Sequence, residues 1–131
     1  MKRHFAIIEK SDTYRRFICI DEENADEIRK ILFGDKKYRA KFKYITRRIL
    51  EQPNIYFDDY KRIKNISGIR VSEMRFFPNG DNCRIYCREL NIEAAMFCII
   101  MVKILPKKKT NRMGKSVKQM IEAIKNYEYE I

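Results

Sequence analysis

The chain has 131 residues and a net charge of +11, and 45% of its residues are hydrophobic. These totals exclude a disordered basic tail and predict one globular domain, residues 1–131, with a modest core. The positive charge favours a polyanionic partner, either nucleic acid, an acidic protein or an anionic membrane surface, although a merely soluble basic protein is also compatible with it.

Leader and membrane segments are not predicted. The first residues contain only a short apolar run, and no stretch approaches the ~18 apolar residues of a membrane span. We therefore expect a cytoplasmic protein. Its four cysteines, Cys19, Cys83, Cys87 and Cys98, are then expected to be free thiols in a reducing compartment. Their spacing, without suitably placed histidines, makes a zinc site improbable, so we expect no metal and no cofactor.

The N-terminal third combines strand-like and helical patterns. Residues His4–Glu9 and Tyr14–Ile20 are strand-like and could form a hairpin. A helix is predicted to open at residues 21–24, with acidic residues in its first turn, and to end at Gly34. The lone histidine, His4, could act as a general base or could be an ordinary surface residue.

A second helix is predicted over Lys36–Glu51, with Asp35 as its N-cap. Tyr38, Phe42, Ile45 and Ile49 recur at helical spacing and should face the core. The other side carries seven cations, and no acid occurs among residues 36–48. This face is either a solvated surface or a contact for a polyanion. The two helices should form a helical hairpin over one face of a sheet.

Three strand-like segments follow, Ile69–Phe77, Cys83–Leu90 and Ala94–Leu105. Their connections are too short for crossovers, which predicts a three-stranded antiparallel meander. In the second strand Arg84, Tyr86 and Arg88 alternate with apolar residues, so one sheet face should carry cations and an aromatic ring. Such a face suits RNA, because guanidinium groups bind phosphate and aromatic rings stack on bases.

The third strand leads into a basic turn, Lys107–Lys109, at the sheet edge. No acid occurs between residues 103 and 118. A final helix, Gly114–Tyr129, has its apolar stripe at Val117, Met120, Ile121 and Ile124. The predicted fold is therefore α+β: an N-terminal strand or hairpin, a helical hairpin, the meander and a C-terminal helix.

Four short stretches resemble motifs of the RelE/ParE superfamily of toxins, nearest to HigB-type toxins related to phage-derived proteins. They are Lys61-Arg62-Ile63-Lys64-Asn65, Val71-Ser72-Glu73-Met74-Arg75, Cys83-Arg84-Ile85-Tyr86-Cys87 and Lys107-Lys108-Lys109-Thr110. The resemblance implies a RelE-like fold and a toxin neutralised by a protein antitoxin. It further implies a metal-independent endoribonuclease that cuts mRNA on the ribosome, where the ribose 2′-OH attacks the adjacent phosphate.

Carried over to this sequence, the resemblance implies catalytic roles for Arg75, Arg84, Lys103 and Lys107. The residues expected to bind nucleic acid are Lys64, Tyr86, Lys108, Lys109 and Arg112. Several alternatives stay open: Arg75 could pair with Glu73, Tyr86 could belong to the core, and Lys108 and Lys109 could be solvated. Lys103 stands where many relatives have a histidine, so a lysine or one of the C-terminal tyrosines, Tyr127 and Tyr129, would have to move protons, or cleavage could be weak or lost.

Two other functions fit the same residues. One is a ParE-like toxin that inhibits gyrase by binding and cuts no RNA. The other is a non-toxic basic module that binds nucleic acid in a salt-dependent manner. In the toxin interpretations the antitoxin should be acidic where it covers residues 103–118 or the helix face at residues 36–48.

Overall fold

A computed structural model describes residues 1–11, 13–93, 96–107 and 114–131. In this part of the chain six strands and three helices follow one another. They are β1 (Phe5–Ser11), β2 (Arg16–Asp21), α1 (Ala25–Gly34), α2 (Lys36–Glu51), β3 (Tyr60–Ile66), β4 (Ile69–Phe76), β5 (Cys83–Ile92), β6 (Met96–Leu105) and α3 (Lys115–Asn126).

All six strands form one mixed sheet in the order β1-β2-β6-β5-β4-β3. Strands β2 and β6 are parallel, with Ile18 opposite Ile99. The other neighbouring pairs are antiparallel. The single parallel pair joins the N-terminal hairpin to the strands that follow α2.

The predicted fold is wrong. It combined an N-terminal strand or hairpin, a helical hairpin, a three-stranded meander and a C-terminal helix, whereas the structure has one mixed six-stranded sheet with three helices. The RelE-like architecture expected from the resemblance falls with it. The parallel pairing of β2 with β6 joins segments about eighty positions apart in sequence, and no local residue pattern specifies such a contact.

Strand β3 has no counterpart among the predicted strands. It is an edge strand with one neighbour, and most of its side chains are exposed or half-buried, so its sequence lacks a regular apolar alternation. The missed signal was its turn. Ile66 pairs with Ile69, and Ser67 and Gly68 between them have φ of 53° and 83°. Two left-handed residues are what a tight two-residue hairpin requires.

Helices cover both faces of the sheet. The first face packs on α1 and α2, and its core includes Ile28, Leu32, Phe42, Ile85 and Met101. The second face packs on α3, and its core includes Val71, Tyr86, Ile100, Val117 and Ile121. We call these the α1/α2 face and the α3 face.

Helix α2 has the predicted bounds, and its predicted stripe, Tyr38, Phe42, Ile45 and Ile49, is buried. Asp35 caps it by accepting a hydrogen bond from the Lys37 backbone N–H at 2.8 Å. Helix α3 is shorter than predicted, because the chain after Asn126 becomes extended and pairs with the N-terminus at Arg3 and Tyr129. None of the helices in the described ranges is long and apolar enough to cross a membrane.

Candidate nucleic-acid interface

Two cross-strand pairs on the α3 face bring four polar side chains together. In the antiparallel register of β4 and β5, Arg75 lies opposite Arg84, and Glu73 lies opposite Tyr86. Residues two apart on a strand point the same way, so all four side chains share the face to which Tyr86 belongs. We call Glu73, Arg75, Arg84 and Tyr86 the arginine cluster.

Most of the arginine cluster is buried. Arg84 and Tyr86 are 0% exposed and Glu73 is 6% exposed, whereas the Arg75 side chain keeps 26% of its surface in solvent. Arg75 Nε lies 3.4 Å from Glu73 Oε1, so the Arg75–Glu73 ion pair, one of the open alternatives, is present. Arg75 is therefore the member of the cluster that an approaching phosphate would meet first.

Burial shapes the electrostatics of the cluster. Loss of solvent lowers the pKa of the Arg84 guanidinium, while the Glu73 carboxylate opposes that shift and the charge of Arg75 adds to it. Burial, with a further contribution from Glu73, raises the pKa of Tyr86 to about 12. Tyr86 consequently keeps its proton at neutral pH and cannot serve as a base. Of the two roles predicted for Tyr86, binding nucleic acid or packing in the core, the structure shows the second, because the side chain belongs to the core of the α3 face.

Lys107 reaches the same end of the sheet. Leu105 pairs with Arg84, so β6 delivers the chain to that end, and Lys107 is exposed. Its charge helps to lower the pKa of Asp81, behind the larger effects of Tyr38 and Lys37, which places Lys107 near the β4–β5 turn. The predicted binding residues Lys108, Lys109 and Arg112 lie outside the described residues.

Lys103 lies opposite Tyr86 in the β5–β6 register, but its side chain is directed away from the arginine cluster. Its Nζ atom lies 3.1 Å from Glu27 Oε2 on α1, and α1 packs on the opposite face of the sheet.

His4 is also distant from the cluster. It immediately precedes β1, and four strand spacings separate β1 from β4 in the sheet order. At roughly 4.8 Å per spacing this is about 19 Å. His4 is exposed, as expected of an ordinary surface residue.

Lys64 lies on β3 beside α3. It pairs with Val71 in the register, and its Nζ atom is 3.5 Å from Glu122 Oε2 on α3. With Lys115 and Lys118 it lines a groove of about 450 Å³ whose apolar wall includes Ile63 and Ile121. This basic groove between β3 and α3 shares no lining residue with the groove at α2.

Arg88 was not among the predicted site residues. It is 6% exposed, and its Nη1 donates to the carbonyl oxygens of Ile124, Lys125 and Tyr127 at 2.9, 3.2 and 2.7 Å. These carbonyls belong to the C-terminal end of α3, where a cation also opposes the negative end of the helix dipole. Arg88 therefore holds α3 against the sheet. The sequence pattern placed it with Arg84 and Tyr86 on the face expected to suit RNA, but its guanidinium group is used within the fold.

A second buried polar cluster, also missed from sequence, surrounds Glu89. The Glu89 carboxylate accepts hydrogen bonds from Tyr56 at 2.7 Å, from Tyr60 and from Arg62 Nε at 3.3 Å. Tyr60 also shares a hydrogen bond with Ser72. The carboxylate is saturated by these donors, so we interpret the cluster as structural.

Metal ligands do not converge in the described ranges, where no group of three or more His, Cys, Asp or Glu side chains could hold an ion. The four cysteines are buried free thiols. Arg75, which keeps part of its surface in solvent, and the exposed Lys107 are the groups at this end of the sheet that can attract phosphate. Comparison of the chain with models of known protein families, with characterised proteins and with solved structures gives no significant match.

Proposed function

We propose that this chain is the toxin of a type II toxin–antitoxin system and cuts mRNA on the ribosome. The observation that carries the proposal is the cross-strand pairing of Arg75 with Arg84 at the end of the sheet to which β6 delivers Lys107. Three of the four residues given catalytic roles by the family resemblance therefore lie at one end of the sheet. The toxin would act in the cytoplasm, with an acidic antitoxin as its neutralising partner.

The chemistry asks little beyond positioning and charge. When a ribose 2′-OH attacks the adjacent phosphate, its proton passes to solvent water, the 2′-oxygen bonds to phosphorus to give a 2′,3′-cyclic phosphate, and the bond to the 5′-oxygen breaks. Negative charge grows on the phosphate oxygens and on the departing 5′-oxygen. Arg75 can donate hydrogen bonds to that phosphate, and the buried charge of Arg84 beside it adds to the local positive potential. Lys107 is an exposed amine that can supply a proton to the leaving oxygen. No metal or cofactor takes part.

A non-catalytic nucleic-acid-binding module is the second candidate. It is favoured by the complete burial of Arg84 and Tyr86 and by the engagement of Arg75 with Glu73. In that case the positive surface would bind phosphate without directing an attack on it, and expression would leave growth unchanged.

The test is induced expression in bacteria with mapping of mRNA 5′ ends. The native chain should arrest growth and create new 5′ ends inside translated frames. Arg75→Ala should reduce cleavage by at least ~10²-fold, the effect expected when one charge-stabilising donor is lost. Arg84→Ala, which removes the neighbouring buried charge, should also reduce cleavage. Arg29→Ala, which removes an exposed arginine of α1, serves as the matched control and should cut normally.

Protein abundance and thermal unfolding of each variant separate a lost site from a lost fold. Arrest with intact mRNA would move the assignment to a gyrase-type toxin. If the native chain accumulates normally and growth is not arrested, the non-catalytic nucleic-acid-binding module becomes the assigned function. Equal cleavage by the Arg75→Ala and Arg29→Ala variants would remove the arginine cluster from the mechanism.

A further inference from the structure

Helix α2 exposes a row of cations that the fold does not neutralise. Lys36, Arg39, Lys43 and Arg47 are three or four residues apart and exposed; we call them the α2 basic row. Two neighbouring lysines differ from them. Lys37 and Lys41 of the same helix pair with Asp81 at 3.0 Å and Asp59 at 2.9 Å.

Among the described residues, no member of the α2 basic row forms an ion pair; Arg39 donates only to the Phe33 carbonyl oxygen, at 3.2 Å. Like charges at these spacings destabilise a helix by about 0.2–0.5 kcal/mol per pair. Lys36 in addition lies in the first turn, where the helix dipole disfavours a cation. The row therefore weakens α2 in the free protein, which points to a role in binding.

An aromatic ring lies beside the row. Tyr44 is 46% exposed, and its hydroxyl accepts a hydrogen bond from Arg48 Nη1 at 3.2 Å. Its ring packs edge-to-face on Phe57, with centroids 6.4 Å apart. Together with Lys43 and Arg47 it lines a groove of about 440 Å³. A held, half-exposed ring between cations is suited to stacking on a base while the cations bind phosphate.

We propose that the α2 basic row and Tyr44 form a second nucleic-acid surface, which binds the sugar–phosphate backbone. The row spans about 16 Å at 1.5 Å per residue, which is enough to follow several phosphates. It lies on the side of the sheet opposite the arginine cluster, because α2 packs on the α1/α2 face. The exposed ring favours nucleic acid over an acidic protein. The inference does not depend on cleavage.

The experiment is fluorescence-polarisation titration of the purified full chain with a labelled RNA and a DNA of the same sequence, across about 50–200 mM salt. The Lys43→Ala/Arg47→Ala double variant should bind more weakly. Its plot of log affinity against log salt should be shallower by about 1.4–1.8, the value for two lost phosphate contacts. If the double variant loses affinity for the RNA probe alone, the surface is specific for RNA. If it loses affinity for both probes, the surface binds any sugar–phosphate backbone.

Lys2→Ala/Lys10→Ala is the matched control, since it removes two exposed cations outside α2 and should leave the salt slope unchanged. Tyr44→Ala should weaken binding of single-stranded RNA several-fold, and Tyr44→Phe should retain it. Thermal unfolding checks that each variant is folded. The proposal is overturned if the two double variants have the same affinity and salt slope. Growth arrest and mRNA cleavage are not read out, so failure of the proposed function would leave this test intact.

Discussion

Two buried arginines on one strand show that neighbouring groups give residues of the same type different roles. Arg84 and Arg88 are four residues apart on β5 and point to the α3 face. Burial lowers the pKa of both guanidinium groups. Arg88 Nη1 donates hydrogen bonds to three carbonyl oxygens at the end of α3, whereas Arg84 lies opposite Arg75. Their shared alternation cannot separate them, because it reports only which way a side chain points.

Arg88→Ala should lower the free energy of unfolding by about 3 kcal/mol, since buried carbonyl oxygens lose a charged donor. Chemical denaturation of the purified variant measures this loss. Arg29→Ala, at an exposed position, should change stability by less than about 0.5 kcal/mol. A loss below about 1 kcal/mol for Arg88→Ala would mean that α3 is held by its apolar face alone.

At the scale of elements, the two chain ends are fastened to each other and to β2. Arg3 and Tyr129 form a parallel bridge, and both side chains converge on the buried Asp21. The Asp21 carboxylate accepts from Arg3 Nε at 2.7 Å, from Arg3 Nη2 at 3.1 Å and from the Tyr129 hydroxyl at 2.6 Å. This contact explains why α3 ends at Asn126: the residues after it extend to reach the N-terminus.

Asp21→Ala should destabilise the protein by about 3 kcal/mol, because Arg3 and Tyr129 lose their shared buried acceptor and Arg3 keeps only its ion pair with Glu23, at 2.8 Å. Tyr129→Phe removes one hydroxyl and should cost about 1–2 kcal/mol. Denaturation gives both losses, and hydrogen exchange should show faster opening of residues 127–131. Equal losses in the two variants would contradict this division between ion pair and hydroxyl.

At the scale of the whole molecule, stability should fall at high pH. Five of the eight tyrosines have raised pKa values, in each case chiefly because of burial: Tyr38, Tyr56, Tyr60, Tyr86 and Tyr129. Above their unfolded pKa of about 10 the unfolded chain loses these protons and the folded chain keeps them. The unfolded state then binds fewer protons, so the free energy of unfolding declines as pH rises.

Urea midpoints measured between about pH 8 and 11 should be level at first and then fall above about pH 10. Tyrosinate absorbance should show a fraction of the tyrosines ionising only when the protein unfolds. Tyr86→Phe removes one contribution and should make the decline shallower, which separates the tyrosine effect from that of lysines titrating in the same range. Reversible ionisation of all eight tyrosines in the native protein would contradict the prediction.

Local patterns determined several features of this protein by themselves. Helical spacing gave α2 its bounds and its buried stripe. Strand alternation placed Arg84 and Tyr86 on the face opposite Ile85. Composition gave the excess of positive charge. These features depend on neighbours in sequence, whose spacing fixes direction and pairing.

Only the tertiary structure decided the rest. The pairing of β2 with β6 and the edge position of β3 made the sheet mixed and six-stranded, and both depend on contacts with other strands. Long-range packing also buried Arg84, engaged Arg88 with α3 and turned Lys103 towards Glu27. A sequence specifies which side chains can bind phosphate, but their exposure depends on which elements cover the sheet, and those elements come from distant parts of the chain.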